Sequence, residues 1–179
     1  MGNVDYNSRI HNLKKRIAVL TKRKRYLQRK GKKKERILRA RKLLKLGIIF
    51  EITLTKEYST EVIVGHLLEL NNKENEIEYF KYLGEKILSE ISIEKHDQKE
   101  VLFLDREEKK KRNHKLISLG ALFEMTERLD YPLAVQIGYI DSLHSSTDTE
   151  MKVKEEKGKK YIEKRRFLKN GRKYLENFL

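Results

Sequence analysis

The sequence has no cysteine or tryptophan, and only one proline and nine glycines among its 179 residues. Without cysteine there is no disulfide framework, no thiolate nucleophile and no cysteine-based zinc site. The scarcity of proline and glycine leaves few positions that break helices. Lysine, glutamate, leucine, isoleucine and arginine are common instead, a composition typical of long helices.

Long hydrophobic runs are also missing. No segment approaches the roughly 20 apolar residues that span a bilayer, and no apolar stretch of signal-peptide length follows Met1. The absence of cysteine suits a reducing compartment. We therefore expect a cytoplasmic protein that has no membrane partner.

Recognisable catalytic and metal-binding patterns are absent as well. The five histidines do not stand at metal-ligand spacing from one another. There is no Gly-x-x-x-x-Gly-Lys-Ser/Thr loop to cradle phosphates, no nucleophile elbow and no His-Glu-x-x-His helix. The sequence therefore predicts a protein that is not an enzyme and needs no metal and no cofactor.

Positive charge, by contrast, is abundant and unevenly distributed. The net charge is +15, yet residues 1–46 alone carry 18 Lys/Arg against 2 Asp/Glu. Residues 106–115 and 152–179 are also basic, whereas 47–105 and 116–151 carry net charges of −7 and −5. A charge that served solubility alone would not segregate in this way. The pattern indicates basic arms joined by mildly acidic bodies.

Hydrophobic periodicity predicts an all-α fold. Apolar residues recur at three- and four-residue steps, and no window alternates with the period of two that marks a strand. Gly31 interrupts the first basic run and predicts a kink or turn there. A link between helices is expected at His96–Gln98. We predict tandem helix–turn–helix units, that is two helical hairpins, with long basic N-terminal and C-terminal helices.

The predicted organisation has five segments. A basic N-terminal helix covers residues 1–31, and the first helical repeat unit covers 32–72. A connecting amphipathic helix follows at 73–98 and the second repeat unit at 99–145. A basic helical tail, expected to run to about Phe178, occupies 146–179.

The N-terminal helix also carries an apolar stripe. Its members are Ile10, Leu13, Ile17, Leu20 and Leu27, with Lys24 at the position that would complete the heptad pattern. The stripe has two interpretations, which are packing against the protein's own helices or pairing of two chains as a homodimer. Three interrupted heptads are marginal for a stable dimer.

An internal repeat is the sharpest signal in the sequence. The stretch Lys42–Leu70 aligns without gaps to Lys115–Leu143, and more than a third of the aligned pairs are identical. Such self-similarity is typical of a supersecondary unit used twice. Both copies follow a basic segment, which argues against a chance run of charge.

Most repeated positions have the character of core and turn positions. Glycine within an apolar helix stripe costs roughly 1 kcal/mol of helix propensity, which is easiest to explain by a close crossing with another helix. We expect the glycines of the first and second helix in each unit to meet at such a crossing. The repeated glutamates would pair with basic neighbours or touch a partner. The motif residues are Leu46, Gly47, Phe50, Glu51 and Gly65, and Leu119, Gly120, Phe123, Glu124 and Gly138.

The repeated motif resembles that of a known family. The segments Lys42-Leu-Leu-Lys-Leu-Gly-Ile-Ile-Phe-Glu51 and Val64-Gly-His-Leu67, with their counterparts at 115–124 and 137–140, are similar to the small TraD-type conjugal transfer proteins. The resemblance covers less than half of the chain, counting both copies. It implies an accessory role in conjugative DNA transfer, as a relaxosome component in plasmid mobilisation that helps a relaxase. It supplies no active-site residue.

The clustered cations make DNA the expected partner, bound through its phosphates with weak sequence preference. Tyr26 is the only aromatic residue within the N-terminal basic run, which argues against base stacking as the main mode. Two alternatives stay open, a protein-interaction adaptor and an RNA- or ribosome-associated protein. The candidate nucleic-acid contacts are Lys14, Lys15, Arg16, Lys22, Arg23, Lys24, Arg25, Arg29, Lys30, Lys32, Lys33, Lys34, Arg36, Arg39, Arg41, Lys109, Lys110, Lys111 and Arg112.

Overall fold

The computed structural model describes residues 3–176. Within that range the secondary structure is helical and contains no strand, which confirms the predicted all-α class. Residues 1, 2 and 177–179, which include the end of the predicted tail, lie outside the described residues. The α-helices are α1 (Asn3–Ile52), α2 (Thr60–Glu69), α3 (Ile77–Glu90), α4 (Ile93–Leu102), α5 (Arg106–Met125), α6 (Leu133–Asp141) and α7 (Asp148–Glu176), with 3-10 segments at Leu70–Glu76 and Ser142–Ser145.

The chain divides into two compact units, Met1–Arg41 and Lys42–Leu179, here called unit 1 and unit 2. From Asn3 onward unit 1 is helical without interruption, so the predicted kink or turn at Gly31 is wrong. Glycine lowers helix propensity by only about 1 kcal/mol, and the lysines and arginines around it are good helix formers. Apart from the adjacent residues and the local helix backbone, no heavy atom lies within 4 Å of the position that a Gly31 Cβ would take.

Another predicted boundary also differs from the structure. The expected link at His96–Gln98 lies inside α4, because this segment contains neither glycine nor proline. The helix that carries the start of the second copy, α5, begins at Arg106. Asp105 forms a capping box there with Glu108, since each carboxylate accepts a hydrogen bond from the other residue's backbone N–H.

The two repeat copies end their first helices with the same backbone turn. Leu54 and Glu127, which occupy equivalent positions in the two copies, have φ of 55° and 62°. The following backbone N–H groups, of Thr55 and Arg128, donate to the carbonyls of Phe50 and Phe123 at 3.0 and 2.8 Å. This is the Schellman arrangement that satisfies the last carbonyls of a helix. The repeat therefore extends to local geometry at two positions where the sequences differ.

The repeated glycines mark close helix crossings, but between the copies rather than within each copy. A Cβ on Gly47 would overlap the backbone of Leu116 in α5, and one on Gly120 would overlap the backbone of Leu43 in α1. Only glycine lets two helix backbones approach so closely. The expectation that the two glycines of one unit meet each other is therefore wrong.

The same exchange recurs between the second helix of each copy and the helix that follows the other copy. Gly65 of α2 lies against the backbone of Lys154 in α7, and Gly138 of α6 lies against the backbone of Phe80 in α3. Gly158 and Gly84 complete these contacts from the opposite sides, against Glu61 and Ala134. The second helix of each copy thus packs on the helix that follows the other copy, α2 on α7 and α6 on α3. The two predicted helical hairpins are not confirmed, because these contacts join the copies in one interlocked core.

His66 and Tyr139 lie at the centre of this core and are again equivalent positions of the two copies. Their rings stack with centroids 4.1 Å apart and an interplanar angle of 4°. His66 Nε2–H donates to the Tyr139 carbonyl at 2.8 Å, and the Tyr139 hydroxyl donates to the His66 carbonyl at 2.6 Å. The two hydrogen bonds are reciprocal, as expected where an approximate twofold axis relates the two copies. Burial lowers the pKa of His66 from 6.5 to about 3, and the charges of Lys154 and Lys73 oppose protonation further.

His66 is expected to make folding sensitive to mild acid. Its folded-state pKa lies below the unfolded value, so the unfolded chain binds the extra proton and stability falls as pH drops from 6.5 towards 3. The slope from this one group is at most about 1.4 kcal/mol per pH unit. Urea unfolding of the wild type and of His66→Gln at pH 7 and pH 4.5 measures the contribution of His66 to the pH dependence of stability. Glutamine is the replacement because it retains an N–H donor and does not titrate. Equal losses of stability in both proteins would contradict the prediction.

Candidate nucleic-acid interface

The N-terminal part of α1 presents a dense set of exposed cations. Residues 9–41 contain 16 Lys/Arg and one acidic residue, Glu35. All 15 of the candidate contacts between Lys14 and Arg41 are exposed. At 1.5 Å per residue this segment is about 50 Å long, or roughly one positive charge per 3 Å of axis. That spacing is close to the roughly 3.4 Å between phosphates along one nucleic-acid strand.

The cations flank a narrow apolar stripe on the same helix. At 100° per residue, Ile10, Leu13, Ile17 and Leu20 fall within one sector of roughly 80°, and Leu27 lies at its edge. These side chains are 46–63% exposed. The stripe is therefore not buried as a packed helix face would be. Packing against the protein's own helices and pairing as a homodimer both stay predictions.

The second predicted cationic patch, at 109–112, divides between surface and interior. Lys110 and Lys111 are exposed, and Lys109 is half-buried. Arg112, in contrast, keeps only 10% of its side chain exposed. Its Nη2 donates to Glu51 at 2.5 Å and its Nη1 to Asp97 at 2.7 Å. We therefore remove Arg112 from the candidate contacts, because both edges of its guanidinium are already bonded.

Glu51 takes the first of the two roles expected for the repeated glutamates, since it pairs with a basic residue. Its carboxylate is 8% exposed and accepts from both Nε and Nη2 of Arg112. The His96 ring nitrogen lies 3.8 Å from the same carboxylate. Glu124, the corresponding residue of the second copy, is half-buried. The other motif residues are buried in the core, namely Leu46, Gly47, Phe50, Gly65, Leu119, Gly120, Phe123 and Gly138.

Two kinds of feature are absent from the described residues. Between residues 3 and 176 no group of three or more His, Asp or Glu side chains is arranged to bind a metal ion. Among the helices described, none has the length and apolar character needed to cross a bilayer.

Comparison with known families gives a match over much of the chain. The family model described as CLU, clustered mitochondria, matches residues 23–142, which is more than half of the sequence. A search of curated proteins found no match. A search of solved structures found none either.

The resemblance to TraD-type conjugal transfer proteins is therefore wrong, and with it the expected role in plasmid mobilisation beside a relaxase. The motif that carried it is short and mostly apolar. In this protein Leu46, Gly47 and Phe50 serve a close helix crossing, a packing device that unrelated helical proteins can share. Because the matched residues make up more than half of the chain, the protein belongs to the clustered mitochondria (CLU) family.

Proposed function

We propose that the protein is a non-catalytic nucleic-acid-binding protein that holds phosphate backbones on the cations of α1. The observation that carries the proposal is the exposure of all 15 candidate side chains between Lys14 and Arg41. Glu35 is the one acid among these cations, so the segment has too few acids of its own to neutralise its charge. A polyanion supplies the missing countercharge and releases its own bound cations on binding.

The proposed binding mode reads little base sequence. Lysine and arginine on one straight helix contact phosphates, which fix position but carry no sequence information. Tyr26 is the only aromatic residue in the run, so stacking on bases contributes little. The proposal includes a cytoplasmic location, which suits a protein without cysteine.

Neutralising four adjacent cations should weaken binding to every probe alike. The variant is Lys22→Gln, Arg23→Gln, Lys24→Gln and Arg25→Gln, and each lost phosphate contact reduces the salt slope by about 0.9. If about six contacts operate in the wild type, its affinity falls about 10³-fold between 50 and 200 mM salt. Fluorescence anisotropy with mixed-sequence duplexes over that salt range measures both quantities.

A control for this experiment removes equal charge elsewhere. Lys86, Lys95, Lys99 and Lys152 are exposed lysines of unit 2, and replacing all four by Gln changes the net charge equally. We expect that control to retain most of the affinity. Binding that ignores salt, or equal losses in both variants, would contradict the proposed role of α1. Competition between duplex DNA and structured RNA then decides which nucleic acid is preferred.

A second candidate function, a protein-interaction adaptor, is favoured by the exposed apolar stripe of α1. Ile17 and Leu20 are 62% and 63% exposed, and a nucleic-acid backbone gives such side chains nothing to pack against. One experiment distinguishes the two functions. The four α1 replacements should weaken nucleic-acid binding, whereas capture of a protein partner through the apolar stripe should survive them.

A further inference from the structure

A cationic cleft in unit 2 is lined by residues outside the set of α1 cations. It has a volume of about 870 Å³ and opens between the turn that precedes α2 and the outer face of α5. Lys56 lines it on the first side, and Lys110, Lys111 and Lys115 line it on the second. Pockets for small ligands in proteins have volumes of a few hundred to about 1,000 Å³. The cleft is therefore large enough for a ligand well beyond a single phosphate.

The lysines of the cleft differ in how far they are already neutralised. Lys110 pairs with Glu107 at 2.9 Å, and Lys115 lies 3.6 Å from Glu57. For Lys56 and Lys111, the described part of the chain shows no ion pair. These two ammonium groups, one on each side of the cleft, are the ones left to bind an added anion.

The floor and walls of the cleft are not polar throughout. Leu119 and Leu122 lie at the floor, and each is only 8% exposed. The rings of Tyr58 and His114 also line the cleft. The Tyr58 hydroxyl is 3.2 Å from Nδ1 of His144, which fixes the tyrosine in place. A ligand that fits must combine negative charge with a flat or apolar part.

The internal repeat shows that the fold does not require these polar residues. Leu129 and Leu133 are the repeat equivalents of Lys56 and Thr60, so the other copy has leucine at both positions. Tyr131 repeats Tyr58. The aromatic residue is thus common to both copies, whereas the cation and the hydroxyl occur in one copy alone. This difference indicates a function for the polar rim beyond packing.

We propose that this cleft binds a nucleotide, with its phosphate between Lys56 and Lys111 and its base on Leu119 and Leu122 beside the Tyr58 ring. A flat heterocycle joined to phosphate is the ligand chemistry that matches both parts of the lining. The nucleotide has two sources, a free mononucleotide or one residue of a single strand. The single-strand source rests on the proposed nucleic-acid function, and the free nucleotide does not.

The test compares four probes on the full chain by isothermal titration calorimetry. They are AMP, adenosine, inorganic phosphate and a 5′-phosphorylated penta-adenylate. We expect saturable binding of AMP or the pentamer, and affinity at least about tenfold lower in Lys56→Gln with Lys111→Gln, because each charge-assisted hydrogen bond is worth a tenfold change or more. Binding of the pentamer without AMP assigns the strand as the source.

Two controls separate this proposal from the function of α1. The variant with four α1 cations replaced should retain AMP binding, and Lys95→Gln with Lys99→Gln should retain it as well. Shifts of the leucine methyl signals of Leu119 and Leu122 in the wild type on adding ligand give a measurement that needs no variant. Absence of saturable binding by all four probes, undiminished binding in the cleft variant, or equal affinity for AMP and inorganic phosphate would overturn the proposal.

Discussion

Replacing Gly47 by alanine is expected to destabilise unit 2 by about 3 kcal/mol, at the upper end of the usual cost of overpacking a core. The added Cβ would overlap the carbonyl of Leu116 in α5. A backbone carbonyl cannot rotate aside as a flexible side chain can. The helices must separate, and the contacts around Phe50 and Phe123, whose rings lie 5.6 Å apart, are lost with them. Urea unfolding followed by circular dichroism measures the change.

Gly31 provides the matched control for this substitution. It is also a helical glycine, but a Cβ there would meet no atom within 4 Å beyond the adjacent residues and the local helix backbone. Gly31→Ala should therefore raise the helix propensity of α1 by about 1 kcal/mol and leave the unfolding of unit 2 unchanged. An ordinary surface substitution costs about 0.5 kcal/mol. If Gly47→Ala destabilises unit 2 by no more than this, the two helix backbones do not approach as closely as described.

The reciprocal glycine gives a second check on the interlocked arrangement. Gly120 faces Gly47 across the same crossing, with Leu43 as its own backbone contact. Once the first alanine has separated the helices, the second should cost much less, so the two losses are expected to add incompletely. Full additivity would indicate that the two glycines do not share one contact.

Replacing Arg112 by methionine is expected to cost about 3–5 kcal/mol, because it leaves the buried Glu51 carboxylate without its charged partner. The Glu51 side chain is 8% exposed, so water cannot replace the two lost hydrogen bonds. Asp97, the other acceptor, is 33% exposed and can be solvated. The measurement is the free energy of unfolding at pH 7.

A double variant separates the net contribution of the Arg112–Glu51 ion pair from the cost of leaving Glu51 unpaired. Arg112→Met with Glu51→Leu removes both charges together, and such replacement of a buried ion pair is often neutral or stabilising. We expect the double variant to recover most of the stability that the single variant loses. A single-variant loss below about 1 kcal/mol, the usual worth of an exposed pair, would mean that the pair is solvated. Arg112 would then return to the candidate nucleic-acid contacts.

The candidate sites differ in how far sequence could locate them. The α1 cations lie in one continuous segment of the chain, so a count of charges along the sequence is enough to locate them. The cleft joins Lys56 to Lys111, which are distant in the chain, and only tertiary packing brings them together. Arg112 has the same charge as Lys111 and is adjacent to it in the sequence, yet Arg112 is paired with a buried carboxylate and Lys111 is exposed. Sequence could not separate them because burial depends on the helix face that meets Glu51.

The helical class, the internal repeat and the distribution of charge could be read from the amino acids alone, because each of these depends on composition and local periodicity. The sequence also identified the glycines that needed an explanation. Which helices those glycines join became clear from the three-dimensional packing, in which each copy contacts the other at these glycines. The local sequence pattern does not identify the helix that packs against each glycine, since an apolar stripe with a glycine fits a crossing helix from either copy equally well.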